Sequence, residues 1–137
     1  MEFDPYLNFD GRCAEAFRFY AQVFGGKIEM MLTHGESPIA DQVPAEMQNS
    51  IMHARLAVGD RVLLASDSPP GKYVRPQGLW VSINVDKPKD ARRIFQALAE
   101  NGTVQMPFEK TVWAAGGFGM CVDRFGTPWM INCEKGD

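Results

Sequence analysis

The chain has 137 residues, of which 45% are hydrophobic and 23% are charged, a balance typical of one soluble globular domain. Its formal net charge of -3 comes without the clustered basic face that nucleic-acid binding needs, so no nucleic-acid partner is expected. The sequence has no apolar run long enough to span a bilayer and no signal-peptide core at its N-terminus, which predicts a cytoplasmic protein without a membrane partner.

The first half of the chain predicts the order strand, helix, three strands. A helix is expected from Cys13, because apolar residues recur there at the spacing of one buried face, and Gly25-Gly26 ends it. Residues 34–49 contain two prolines and predict a loop with one helical turn. Apolar alternation predicts strands at Pro5–Phe9, Lys27–Thr33, Ile51–Val58 and Arg61–Asp67.

The second half predicts the same order. A linker rich in proline and glycine, residues 69–76, separates a first module at residues 1–68 from a second module at residues 77–137. Pro88 fits the first turn of the second helix, because its missing N–H has no partner to lose there, and Asn101-Gly102 ends that helix. The remaining strands are predicted at Leu79–Val85, Thr103–Phe108, Gly117–Val122 and Trp129–Cys133.

A shift of 76 positions lays one half of the sequence on the other. The shift brings Asn8 onto Asn84, Phe19 onto Phe95 and Gly26 onto Gly102. A long period that occurs only twice predicts a tandem duplication within one domain, since a solenoid needs three or more repeats. Two half-domains with open sheets predict a pocket between or inside them.

The doubled βαβββ module is similar to the vicinal oxygen chelate superfamily, which includes glyoxalase I, bleomycin-resistance proteins and extradiol dioxygenases. Within it the chain most resembles the PhnB-like branch. The resemblance implies an α+β fold, in which two tandem βαβββ modules form a curved eight-stranded mixed sheet around a cup, and a homodimer. The segments that carry it run in family order over nearly the whole chain: residues 6–11, 16–20, 23–26, 51–54, 59–60, 66–67, 118–120, 123–126 and 129–132.

Superfamily enzymes bind a divalent metal on the concave face of the sheet. The resemblance places the ligands at Asp4, near 64–66, at Trp80 and at Asn132. Trp80 cannot ligate a metal and Asn132 offers one neutral carbonyl, so only Asp4 is a strong ligand. The sequence therefore predicts no family-type metal and no other cofactor. The alternative is a divalent metal in a rearranged site of Asp4, Asn132 and His53.

Four polar residues alternate out of phase with the apolar positions of their strands, and we expect them on the floor of the cup: Asn8, His53, Asn84 and Asn132. His53 is the candidate acid or base, since histidine titrates near neutrality. Its alternative is a structural hydrogen bond or a subunit contact. For Asn8 and Asn84 the alternatives are hydrogen bonds to a ligand or to backbone groups between the halves.

Large apolar side chains of the second half are candidates for the pocket wall, namely Trp80, Trp113, Phe118, Met120, Trp129 and Met130. Each has the alternative role of a core residue. Trp113 precedes a glycine-rich segment that predicts a mobile lip over the cup. The glycines at 116, 117 and 119 lack the helix and lysine of a phosphate-binding loop.

Nucleophilic catalysis has little support in the sequence. Ser66 lies on a predicted strand with no recognisable base, and the three cysteines have no metal spacing and predict reduced, buried thiols. We therefore expect a small-molecule-binding protein. The alternatives are a metal-dependent lyase, isomerase or dioxygenase of the superfamily type, and a structural dimer without a ligand.

Overall fold

The computed structural model describes all residues from Met1 to Asp137, and the chain divides into two compact units, Met1–Val74 and Arg75–Asp137. Each unit has four strands and one helix, which confirms the α+β fold and the repeated strand, helix, three strands order. The elements are β1 Tyr6–Phe9, α1 Cys13–Phe24, β2 Lys27–Thr33, β3 Ile51–Val58, β4 Arg61–Asp67, β5 Val81–Asn84, α2 Pro88–Ala99, β6 Thr103–Thr111, β7 Ala114–Val122 and β8 Pro128–Cys133.

The eight strands form two four-stranded mixed sheets, with strand orders β1-β4-β3-β2 and β5-β8-β7-β6. The pairs β1–β4 and β5–β8 are parallel, and all other neighbouring strands are antiparallel. The two sheets therefore have the same topology. This equivalence is the structural counterpart of the 76-residue repeat in the sequence.

Helix α1 covers one face of the first sheet with an aromatic core. Phe9 contacts Phe17 and Tyr20 on the helix, each with 6.3 Å between ring centroids, and all three side chains are fully buried. The buried Asp67 carboxylate accepts hydrogen bonds from the backbone N–H of Cys13, at 2.9 Å, and of Ile51, at 2.8 Å. One carboxylate thus fixes the start of α1 and of β3, at a helix end where a negative charge is favourable.

Helix α2 covers one face of the second sheet through its predicted stripe of Ala91, Ile94, Phe95 and Leu98. Gly26 and Gly102, which the 76-residue shift superimposes, are glycines for the same steric reason. A Cβ on Gly26 would lie 2.7 Å from the carbonyl oxygen of Ala57, and a Cβ on Gly102 would collide with the carbonyl oxygen of Val122. Each glycine therefore lets the chain after a helix pass close to a strand of its own sheet.

Several boundaries differ from the sequence prediction. Strand β5 is shorter than expected, β6 continues to Thr111, and β7 begins at Ala114 instead of Gly117. The loop after β2 holds three 3₁₀ turns where one helical turn was expected, and the Gln48 side chain holds it by donating to the backbone oxygens of Ala40 and Val43. Neither 12-residue helix could cross a membrane.

Candidate functional site

Each sheet has one face covered by its helix and a second face, here called the open face, that its helix leaves uncovered. Side chains alternate between the faces, so the helix-side residues determine which neighbours lie on the open face. In the first half, Phe9 packs on α1, which places Asn8 on the open face. In the second half, Ile131 pairs with Gly119, and a Cβ on Gly119 would lie 2.8 Å from Phe95 of α2. Ile131 is therefore on the helix side, which places Asn132 on the open face.

The open face of the second half is centred on an amide pair. Asn84 and Asn132 are register partners on parallel strands, and Asn132 Nδ2 donates to Asn84 Oδ1 at 3.0 Å. The Asn132 carbonyl oxygen, Oδ1, has no hydrogen-bond partner and no contact with solvent. Such an acceptor costs about 1–3 kcal/mol of stability relative to a satisfied one, so it favours any group that can donate to it.

Apolar side chains surround this amide pair. Phe118 is the register partner of Asn132, and Met120 pairs with Met130 beside it on the same face. Trp113 contacts Phe118 edge to face, with 5.3 Å between ring centroids, and more than half of its surface is exposed. The second half therefore offers one unsatisfied acceptor within a mainly apolar and aromatic surface, a composition typical of ligand sites.

The open face of the first half is polar. The Tyr6 hydroxyl lies 3.2 Å from His53 Nδ1, and the two rings stack at 5.8 Å. Asn8 Nδ2 donates to Ser66 Oγ at 3.1 Å, and these two residues are register partners. The pair is equivalent in topology to the pair of Asn84 and Asn132, since it joins the same two strands of the other sheet.

The four predicted floor residues lie on the open faces of their sheets, two in each half. The three asparagines make side-chain hydrogen bonds: Asn8 bonds to Ser66, and Asn132 bonds to Asn84. Whether Asn8 and Asn84 also bond to a ligand or to backbone groups between the halves stays a prediction. That the four groups converge on one cavity stays a prediction.

The prediction that Trp129 lines the site beside Asn132 is wrong. Trp129 lies on the helix side of β8, is only 1% exposed, and its indole Nε1 donates to the Asp123 carboxylate at 2.9 Å. Its neighbour Met130 occupies the open face instead. A one-residue change in position along a strand is enough to reverse the face.

The glycine-rich segment that was predicted to form a mobile lip is a strand in the structure, and its mobility stays a prediction. The glycine-rich segment belongs to β7, which pairs with β6 on one side and β8 on the other. Trp113 itself lies in the two-residue turn between β6 and β7, so it is at the tip of a hairpin. Trp80 is half-buried and precedes β5, and its predicted place in the pocket wall stays a prediction.

The residues present do not fit a family-type divalent metal. Within the second half, Asn132 lies beside Asn84 on the neighbouring strand. Trp80 is four residues before Asn84, which separates it from the amide pair by on the order of 13 Å of extended backbone. In the first half, Asp4 precedes the first register pair, Tyr6 with Leu64. No three side chains of His, Cys, Asp or Glu come together as a ligand group. A divalent cation needs several such donors within about 2.6 Å, which neither half supplies.

The cysteines are buried free thiols, as the sequence predicts. Burial, with a further contribution from the nearby Asp67 carboxylate, raises the pKa of Cys13 to about 12. Burial and the nearby Asp123 carboxylate likewise raise the pKa of Cys121 to about 12. Both thiols therefore stay protonated at neutral pH and are poor nucleophiles.

Residues 1–132 match the family model described as 3-demethylubiquinone-9 3-methyltransferase. The chain belongs to this family. Protein YjdN of Escherichia coli K12 is 32% identical over 143 residues, covering 98% of this chain and 97% of that protein. The crystal structure of PA1353 from Pseudomonas aeruginosa is 50% identical, covers 98% of each chain and superimposes with a TM-score of 0.89.

The PhnB-like resemblance of the sequence is confirmed by the family model and by a solved structure of a putative 3-demethylubiquinone-9 3-methyltransferase, the PhnB protein, from Bacillus cereus. That protein is 18% identical, with 97% of this chain and 99% of that chain covered, and its TM-score is 0.81. At this identity the likeness shows the fold alone. It confirms the glyoxalase-like fold for this family member.

Sequence reasoning missed three residues that organise the sites of this family member. Tyr6 holds His53, Ser66 accepts from Asn8, and Asp123 anchors Trp129. Tyr6 and Asn8 alternate in β1, so the parity that placed Asn8 also places Tyr6 on the open face. For Asp123 the available signal was a tryptophan six residues later whose indole N–H needs an acceptor when buried.

Proposed function

We propose that this protein binds a small organic molecule on the open face of its second half, without a family-type metal. The observation that carries the proposal is the Asn132 carbonyl oxygen, which is shielded from solvent and has no hydrogen-bond partner. A ligand with an N–H or O–H donor that displaces the side chains shielding this oxygen satisfies it and recovers the cost of leaving it unpaired.

The surrounding side chains support an apolar or aromatic ligand body. Phe118, Met120 and Met130 present a surface beside the amide pair, and the Trp113 ring stands exposed at its edge. Offset or edge-to-face contacts with aromatic rings contribute about 0.5–1.5 kcal/mol beyond the burial of apolar area. Methionine side chains adapt to ligands of different shape, which favours binding of a range of related molecules.

The donor groups support the metal-free part of the proposal. Superfamily-type metal chemistry needs acidic or imidazole ligands, and the open face of the second half presents neutral amides and apolar groups. The family description names a methyl transfer to a demethylubiquinone, and no observation on this chain's own residues favours extending that reaction to it. The predicted homodimer and the cytoplasmic location stay predictions.

A fragment screen by ligand-observed NMR tests the binding proposal. We expect flat aromatic fragments that carry an N–H or O–H donor to bind the wild type and to lose about tenfold in affinity to Asn132→Leu, because about 1.4 kcal/mol is lost with one hydrogen bond. Asn49→Leu, at an exposed position in the other half, is the matched control and should bind as the wild type does. Fragments that bind both variants equally would contradict the proposal.

Metal analysis tests the metal-free part separately. Protein purified without chelators should hold no stoichiometric zinc, nickel, iron or manganese after dialysis. A metal that remains at near one per chain would overturn this part of the proposal, whatever the fragment screen shows.

A further inference from the structure

The open face of the first half carries a group of polar side chains that the proposed function does not use. Asn8 pairs with Ser66 across β1 and β4. The antiparallel register of β3 and β4 pairs Ala54 with Ala65, and continuing it by one residue brings His53 opposite Ser66. Cross-strand partners on one face have Cβ atoms about 5 Å apart. Asn8, Ser66 and His53 therefore form one row, and we call this row with Tyr6 the donor cluster.

The hydrogen bonds within the donor cluster decide which groups remain available. Ser66 Oγ accepts from Asn8 Nδ2, so the Ser66 O–H is left to donate elsewhere, and no other bond from this hydroxyl is made. Asn8 keeps its second N–H and its amide oxygen. Because an amide nitrogen has two N–H groups and a hydroxyl one, both side chains can donate to the same outside atom.

Tyr6 sets the state of the imidazole. The Tyr6 hydroxyl oxygen lies 3.2 Å from His53 Nδ1, and the two rings stack. We assign the phenol O–H as the donor, because a phenol is a stronger acid than a neutral imidazole N–H and an imidazole nitrogen is the stronger acceptor. When Nδ1 accepts, the neutral imidazole carries its proton on Nε2, which then is a donor. The charge of Arg55, two residues after His53 on β3, is balanced by Glu29, since Arg55 Nε is 2.8 Å from Glu29 Oε1.

We infer that the donor cluster binds the carboxylate of a small organic acid, with oxygens that accept from His53 Nε2–H, Ser66 O–H and the second Asn8 N–H. The observations favour an oxygen acceptor because the row holds three N–H or O–H donors that no side chain of the first half accepts. A carboxylate is favoured over a neutral carbonyl because bonds to a charged acceptor are roughly twice as strong. This inference goes beyond the proposed function, which concerns the other half, and the two are tested on different residues.

Imidazole NMR gives a direct test, since the chain has only two histidines. His34 serves as an internal reference: its Nδ1 lies 2.9 Å from the Ser50 hydroxyl and 3.2 Å from the Ser50 carbonyl, away from the donor cluster. In its neutral form, His53 should show the Nε2–H tautomer. Sodium acetate should shift the His53 signals saturably, with half-saturation on the order of 10 mM, while His34 stays unchanged.

Variants connect the signal to the cluster. Ser66→Ala should weaken acetate binding at least about threefold, because one charge-assisted hydrogen bond is lost. Tyr6→Phe should reduce the Nε2–H population of His53 and weaken binding with it. Ser82→Ala removes an exposed strand serine of the other half and should leave acetate binding unchanged.

Several outcomes would overturn the inference. These are an Nδ1–H tautomer at His53, equal shifts at both histidines, the same shifts with sodium chloride at equal ionic strength, or unchanged binding in Ser66→Ala. Acetamide that binds as tightly as acetate would overturn the carboxylate assignment, and so would inorganic phosphate that binds where acetate does not.

Discussion

At the residue scale, two buried aspartates have structural roles that composition alone does not reveal. Asp67 joins the start of α1 to the start of β3, and Asp123 accepts from the backbone N–H groups of Phe125 and Thr127 and from the Trp129 indole. A buried carboxylate is tolerated only when such donors replace water. Both residues therefore belong to the scaffold of the sites.

Asp123→Asn should lower the free energy of unfolding by about 3 kcal/mol, because the amide replaces a charged acceptor and turns an N–H toward donors that need an oxygen. Urea denaturation measures the change. Asp86→Asn, at an exposed position, is the matched control and should change stability by less than about 0.5 kcal/mol. Equal stability of the two variants would show that the Asp123 hydrogen bonds do not hold the turn.

The raised pKa values of Cys13 and Cys121 predict a loss of stability at alkaline pH. In the folded state both thiols keep their protons up to about pH 12, whereas in the unfolded chain they lose them near the ordinary value of 9.0. The unfolded state is therefore favoured as pH rises through this window. The urea concentration at the unfolding midpoint of the wild type should decrease as the pH is raised from about 9 to 11. Reaction of these cysteines with a thiol reagent should require unfolding.

The double variant with Cys13→Ala and Cys121→Ala separates the thiols from other groups that titrate in this range. It should be less stable than the wild type at neutral pH, because it leaves two cavities, but its decline with pH should be shallower. A decline of equal steepness in both proteins would assign the effect to other residues.

The candidate site was predictable from the sequence where side-chain alternation alone decides the outcome. Asn8, His53, Asn84 and Asn132 were placed on the faces opposite to their helices by this rule. Alternation does not say which polar atom remains unpaired. The free carbonyl of Asn132 depends on how Asn84 turns its amide, which is a tertiary detail.

At the element scale, the helices and β2, β3 and β4 were predictable because their apolar spacing is strong and clear turn signals bound them. The first three residues of β7, 114–116, were not, because glycine has no side chain to alternate and its presence at 116, 117 and 119 resembles a loop. The structure gives the reason for these glycines: Cys133, Phe108 and Phe95 each pack against one of them. A strand can therefore be rich in glycine when large neighbours fill the space.

Gly119→Ala tests this explanation. The new methyl group would lie 2.8 Å from Phe95 and 3.0 Å from the Phe108 backbone, so it should push α2 and β6 away from β7 and destabilise the protein by about 1–3 kcal/mol. Gly136→Ala is the matched control, since its Cβ would have its nearest neighbour at 3.5 Å. Thermal unfolding that gives the same midpoint for both variants would contradict the packing role of Gly119.

β6 is an edge strand of the second sheet, and its sequence disfavours pairing with another chain. β6 is exposed along most of its length and has Pro107 near its middle, where the register with β7 is irregular. Proline removes a backbone donor, and an irregular register bends the strand. Both features discourage another chain from extending the sheet at this edge.

At the scale of the whole molecule, duplication preserved topology while the two open faces diverged. The same pair of strands carries Asn8 with Ser66 in one half and Asn84 with Asn132 in the other. The first pair leaves the Ser66 O–H as a donor, and the second leaves a shielded carbonyl acceptor at Asn132. One scaffold thus presents different hydrogen-bonding groups at equivalent positions, which illustrates why a shared fold does not fix a ligand.

The distribution of the aromatic residues gives each half its own spectroscopic label. All three tryptophans lie in the unit Arg75–Asp137, and all three tyrosines lie in the unit Met1–Val74. Tryptophan emission therefore follows the unfolding of the second half alone, with buried Trp129 as its most sensitive reporter. Tyrosine absorbance follows the first half, so the unmodified chain can reveal whether its two duplicated halves melt together or in succession.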